Sequence, residues 1–160
     1  MTIQIITTGG TIDKIYFDAL SEFQVGESPI ASILHEANVT LDIPTQPLFR
    51  KDSLELTDAD REAIRQAVIQ SPARQILITH GTDTMAHTAE VLLSVADKTI
   101  VLTGAMQPAR LRSTDAIFNV GFALAAVQTL PYGVYIAMNG RLFPAGTVKK
   151  NRHAGCFEDL

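Results

Sequence analysis

The sequence predicts an α/β fold, a three-layer α/β/α sandwich around a mainly parallel, flavodoxin- or Rossmann-like sheet. Three observations predict it. Strand-length apolar runs alternate along the chain with segments whose apolar residues recur every three or four positions. The polar, glycine-rich clusters fall at the ends of the runs, where strands would lead into helices. No internal repeat, low-complexity tract or long linker interrupts the alternation, and 160 residues suffice for one core without disulfides or metals. A single domain over residues 1–160 is therefore expected.

The elements follow in order. "TIQIITT" reads as the first buried strand. "SPIASILHEA" reads as a short helix with Ser28 as its cap and Pro29 at its first position. "VTLDIPTQPLF" is extended, and Pro44 and Pro47 push it to a sheet edge. From Asp58 to Gln70, Ala59, Ala63, Ile64, Ala67 and Val68 form one helical face, capped by Thr57 or Asp58. "QILIT" is a second strand. Met85, Thr88, Ala89, Leu92, Leu93 and Ala96 mark the next helix. "KTIVLTG" is a third strand, followed by a helical stripe of Ile117, Val120, Gly121, Leu124 and Val127. "GVYIAMNGRLF" turns at Asn139-Gly140 into a hairpin partner.

Composition narrows the function. Thirteen basic against seventeen acidic side chains leave a net charge of −4, which argues against nucleic acid or an anionic membrane as partner. One cysteine, Cys156, excludes an internal disulfide framework. No basic, cleavable leader is expected at the amino terminus, and no apolar run approaches the roughly 20 residues that span a bilayer. A soluble cytoplasmic protein is the expectation.

Two polar clusters hold the candidate chemistry: "TTGGT" at Thr7–Thr11 and "THGTDT" at Thr79–Thr84. Each alone is compatible with a tight turn or a helix cap. The first lacks the Gly-Lys-Ser/Thr ending of a phosphate loop and the spacing of a dinucleotide site. His80, Asp83 and His87 are spaced by three and four residues, yet His80 precedes the helix, so the trio need not share a face. Neither a metal nor another cofactor is expected. No GxSxG elbow or CxxC pair supports serine-hydrolase or redox chemistry.

Together, "TGGTI" after the first strand and "THGTDTM" after a later one resemble the paired signatures of the bacterial-type L-asparaginase family. The similarity runs over essentially the whole chain, through "VLTGAMQPARLRSTDAIFNV", "YIAMNG" and "TVKKN". It matches the amino-terminal domain of that family; the second, smaller domain is expected to be absent.

The resemblance implies a nucleophile at Thr11. A threonine hydroxyl must lose its proton as it attacks, and the family pattern places the residues that take it at Thr82, Asp83 and Lys150, with Lys149 the neighbouring candidate. A lysine accepts a proton only while neutral; desolvation favours that form and Asp83 opposes it. The resemblance also implies that Ser53 and Asp83 hold the α-carboxylate and α-ammonium of an amino-acid substrate. Backbone N–H groups of the glycine-rich loops, at Gly10 and Gly81, would face the oxyanion. The implied reaction is hydrolysis of the side-chain amide of L-asparagine, or a related amide, through a threonine acyl-enzyme. A homodimer or higher homo-oligomer is expected.

The sequence departs from the pattern at two side chains. Phe23 stands where the family has a tyrosine, with Tyr16 on the same loop, and Leu54 replaces a polar residue after Ser53. These departures motivate a second reading, a non-catalytic binder of an amino acid or amide on the same fold.

Overall fold

The computed structural model describes residues 2–160. Its first half contains β1 (Ile3–Gly9), β2 (Lys14–Phe17), β3 (Glu22–Val25), α1 (Ile30–Glu36), β4 (Thr45–Lys51) and α2 (Asp58–Gln70). Then follow β5 (Gln75–Thr79), α3 (Met85–Leu92), β6 (Thr99–Thr103), α4 (Ala116–Thr129), β7 (Gly133–Met138), β8 (Arg141–Pro144), β9 (Val148–Asn151) and β10 (Cys156–Asp159). Single 3-10 turns at Thr11–Asp13 and Ser53–Glu55 close the ends of β1 and β4.

Six strands form one sheet in the order β4-β1-β5-β6-β7-β8. All its neighbours pair in parallel except β7 and β8. Successive strand residues point to opposite faces, and β5 makes the consequence plain. Ile76 and Ile78 join Ile64, Val68, Met85 and Leu92 of α2 and α3 in one core. Leu77, between them, joins Ile30, Val120 and Val127 of α1 and α4 in the other. The three-layer α/β sandwich is thus present, with a core on each face of the sheet. Each fully buried isoleucine or leucine contributes about 1.5–3 kcal/mol, so the sheet fixes where the loops at its edge begin.

Several local expectations hold. Strand β4 is the sheet edge, and its Pro47, which has no N–H to give, lies opposite Thr7 there. Thr57 is the cap of α2, accepting from the Asp60 amide while the Asp60 side chain accepts from the Thr57 amide. The Asn139–Gly140 turn has positive φ at both residues (55° and 68°), and Met138 pairs with Arg141 across it.

Others are corrected. Ser28 does not cap α1: the N-cap is Pro29, without a side-chain hydrogen bond, and the Ser28 hydroxyl is buried without a partner. On α2, Ala59 and Ala63 are exposed, whereas Arg61 is buried and donates to the Leu56 carbonyl. Alanine is small enough to sit on either face, and the aliphatic stem of arginine packs well once its head is paired. Helix α3 stops at Leu92, so Leu93 and Ala96 fall outside it and are exposed. On α4 the buried face runs through Ala116, Asn119, Val120, Ala123 and Val127, and Ile117 and Gly121 point outward. So many residues of α4 are apolar that periodicity could not choose between neighbouring stripes. No helix among the described residues is long and apolar enough to cross a membrane.

Candidate active site

In an open parallel sheet, ligands bind where adjacent strands send their connections in opposite directions. Here β1 connects onward to β4 on one side, and β5 connects to β6 on the other; β1 and β5 are neighbours. The crevice therefore opens between the loops after β1 and β5. Those loops carry Thr11 and Thr82.

The β1 loop turns sharply. Gly10 has φ 87° and precedes the 3-10 turn that begins at Thr11. A Cβ on Gly10 would lie 2.4 Å from both Cα and N of Gly81, so only a glycine lets the two loops touch. Thr11 and Thr82 each follow one of these touching glycines, and Thr11 is partly exposed. The Gly10 amide donates to the Lys51 carbonyl at 2.9 Å. That amide is committed to tying the loop to β4, which corrects the expectation that it faces an oxyanion.

Ser53 enters from the third side. The Asp52 carboxylate accepts from the Leu54 amide and the Glu55 side chain from the Asp52 amide, a capping box that sets the Ser53–Glu55 turn. Thr84 donates its hydroxyl to the Ser53 carbonyl at 2.8 Å. A Cβ on Gly81 would meet the Ser53 Cβ at 2.6 Å and its Oγ at 2.7 Å, so Ser53 is packed flat against the Gly81 backbone. Its hydroxyl is buried and has no protein partner. A buried hydroxyl left unpaired is costly, and the cost is relieved by a ligand or water reaching it.

The charged group comes from the far end of the chain. Lys150 lies on β9, opposite Phe157 of β10 in a two-stranded antiparallel ribbon. Its Nζ donates to Thr82 Oγ1 at 2.7 Å and to Asp83 Oδ1 at 2.8 Å. Its side chain is only 15% exposed, so water and salt screen this contact less than they would a surface ion pair. Arg152 Nε reaches the same Asp83 oxygen at 3.2 Å. The sequence reading missed Arg152, which "KKNR" offers only as one more basic residue. Lys149, the neighbouring candidate, points elsewhere and pairs with Glu158 at 3.5 Å.

His80 serves the same loop from below. It is fully buried, and burial lowers its pKa to about 4. Its Nδ1 lies 2.7 Å from the Gly81 carbonyl and its Nε2 2.8 Å from the Thr88 hydroxyl. A carbonyl only accepts, so the neutral ring donates from Nδ1 and accepts from Thr88 at Nε2. His80 thereby orients the Gly81–Thr82 peptide from the core side, while His87 lies on the surface-facing side of α3.

The segment between Thr11 and α1 is an antiparallel hairpin, β2 paired with β3. Tyr16 and Phe23 are direct cross-strand partners with rings edge to face, centroids 5.5 Å apart. Both are about half exposed. The hairpin is tied at its base: Gly26 donates to the Asp13 carbonyl at 2.9 Å, and Lys14 pairs with Asp52 at 3.1 Å. Leu54, beside Ser53, is 63% exposed.

Known proteins share this fold. The profile described as "Asparaginase, N-terminal" matches residues 2–158. The chain belongs to the asparaginase family. It is similar to the glutaminase-asparaginase of Acinetobacter glutaminasificans, 29% identical over 175 residues, covering 97% of this chain and 52% of that one. To the probable periplasmic L-asparaginase of Haemophilus influenzae it is 31% identical over 159 residues, 92% of this chain and 46% of that protein. The fold matches that of the thermostable L-asparaginase from Thermococcus kodakarensis with a TM-score of 0.86 and 27% identity, over 100% of this chain and 51% of the other. The chain spans about half the length of these asparaginase-family relatives and corresponds to their amino-terminal domain.

Proposed function

We propose that this domain carries amidohydrolase chemistry, with Thr11 as nucleophile toward the side-chain amide of L-asparagine or a related amide. The observation that carries the reading is the Lys150 ammonium held between Thr82 Oγ1 and Asp83 Oδ1, on the loop whose Gly81 touches Gly10 next to Thr11. When Lys150 gives up a proton, its free amine can accept one from Thr82, and Thr82 in turn can accept the proton of Thr11 as its oxygen attacks the amide carbon. Ammonia leaves with one proton, and Thr11 is left as an ester. Water then cleaves the ester, releasing the acid and restoring the hydroxyl. With the Gly10 amide committed to Lys51, Gly81 is the glycine of the two left to face the oxyanion.

The substrate's head group falls to Ser53 and Asp83. The unpaired Ser53 hydroxyl suits an α-carboxylate. Asp83, already facing Lys150 and Arg152 through one oxygen, offers its other oxygen to an α-ammonium. The test is ammonia release from L-asparagine, L-glutamine and a small panel of other amides, with Thr11→Ala alongside. We expect the wild-type domain to release ammonia and the variant to lose at least about a hundredfold. Equal rates would end the assignment.

A second reading is a binder of an amino acid or amide that does not turn it over. It is favoured by Phe23, which cannot relay a proton, and by Leu54, which turns an apolar side chain outward beside Ser53. Calorimetry with aspartate or asparagine separates the two, since the binder retains affinity where ammonia release is nil.

Self-association into a homodimer also belongs here. The outward face of α4 exposes Ile117 and Phe118, with Phe118 stacked on Phe122 at 6.0 Å. Light scattering at the mass of one chain would contradict it.

A further inference from the structure

A cavity of about 240 Å³ lies under the base of the β2–β3 hairpin, between the end of β1, the start of α1 and the edge strand β4. Neither Thr11, Ser53, Thr82, Asp83 nor Lys150 lines it. Two of its polar walls are unfinished. Asp13 is 1% exposed, yet its Oδ1 has no well-formed hydrogen bond; the buried Ser28 hydroxyl, likewise without one, lies close enough to hold the Asp13 pKa down in part. Both line the same hollow.

A buried carboxyl and hydroxyl left with only each other, and in poor hydrogen-bond geometry, cost free energy unless something else reaches them. The remaining walls say what fits. Arg50 lines the cavity, and among the described residues it has no acidic partner within salt-bridge distance. Its charge bears on Asp13, as does that of Arg110. Pro47, Phe49, Ile30 and Ala31 supply an apolar lining, and Glu27 adds a second acid. The volume holds about eight water-sized groups, a little below the smallest drug-sized pockets.

We propose that this cavity is a second ligand site, for a small free α-amino acid, distinct from the site at Thr11 and independent of whether Thr11 turns over an amide. The α-ammonium sits against Asp13 and Ser28, the α-carboxylate against Arg50, and a short side chain against Phe49 and Ile30. Its place in the chain gives it a consequence. Asp13 ends the turn that Thr11 begins, and its carbonyl holds Gly26 at the hairpin's base. An occupant bridging Asp13 and Arg50 joins the first loop to β4 there.

The test is backbone NMR of the ¹⁵N-labelled chain, titrated with glycine, L-alanine and L-aspartate. Methylamine and acetate serve as half-ligands. The titrations are repeated in Ser53→Ala, which removes the head-group contact proposed for the Thr11 site, so that failure there and failure here are read separately. We expect saturable shifts at Gly26, Glu27, Ile30, Ala31 and Phe49 that persist in Ser53→Ala and need both charged ends of the ligand. Asp13→Asn and Arg50→Ala are each expected to weaken them by about tenfold or more. Arg50 is exposed, so its replacement leaves the fold intact even where Asp13→Asn alters stability. Absence of saturable shifts, shifts reproduced by methylamine or acetate alone, or affinities unchanged in both variants would overturn the proposal and leave a water-filled hollow.

Discussion

Replacing Asp13 by asparagine isolates the cost of burying one charge. The side chain is 1% exposed, and burial raises its pKa from the ordinary 3.8 to about 6, against smaller opposing effects of Ser28, Arg110 and Arg50. The folded pKa therefore exceeds the unfolded one. The group's contribution to stability is fully present below pH 3.8 and is lost as pH rises through about 6. A shift of about two units corresponds to about 3 kcal/mol in total, of which about 1.4 kcal/mol disappears between about pH 5 and about pH 7.5.

Asparagine keeps the shape and carries no charge, so its own contribution is flat over that range. Urea unfolding of both proteins at the two pH values measures the difference. The stability of Asp13→Asn relative to wild type is expected to rise by about 1–1.5 kcal/mol from the lower pH to the higher. A relative stability that stays constant, or falls, would show that Asp13 is not held against its charge, and the reasoning from burial would be wrong. A constant deficit at both values would instead identify Asp13 as a plain hydrogen-bonding residue.

Three further perturbations bear on the two threonine loops and the scaffold. Lys150→Met removes the donor to Thr82 and Asp83 and is expected to lower ammonia release by about a hundredfold or more, while urea unfolding changes little because Arg152 still faces Asp83. Gly10→Ala forces a side chain into φ 87° and against the Gly81 backbone. It is expected to lose at least about 2 kcal/mol in urea unfolding and, by parting the loops, nearly all activity. Thr57→Ala removes one half of the α2 capping box and should cost about 1 kcal/mol in the same assay without changing kcat/KM.

The sheet was legible in the sequence because its strands are buried on both faces. "QILIT" and "TIVLT" are nearly unbroken apolar runs, and no helix pattern competes with them. The helix faces were less legible where alanine and glycine are common, because small residues pack on either side: hence Ala59 and Ala63 of α2 and Gly121 of α4 lie outside. The two threonine loops could be found as motifs, and the sheet order explains why they meet. Lys150 could not be placed by local pattern, since it reaches the site from 67 residues beyond Asp83 on a ribbon outside the main sheet. Only the family resemblance singled it out from Lys149. Asp13 was missed because nothing in "TGGTIDK" tells an inward carboxylate from an exposed one. Burial is a property of what packs around it, here Gly26 and α1.

The glycines, more than the hydroxyls, explain why this stretch of chain suits a site. A threonine at a strand end can be reached by many loops, but backbone held within van der Waals contact of backbone demands two residues without side chains. Gly10 meets Gly81, and Gly81 meets Ser53; the Gly10 amide binds Lys51, whose ammonium is fixed in turn by Asp60 at 2.9 Å. Three loop segments after three different strands are thereby locked into one surface at the switch point. A side chain built on such contacts is placed by backbone rather than by flexible neighbours, which is the condition for aiming a weak nucleophile. The same locking leaves the hairpin between Lys14 and Val25 as the part free to respond, because its aromatic tip is exposed and only its base is tied. The cavity beside Asp13 adjoins that base, one turn from Thr11 and outside the crevice.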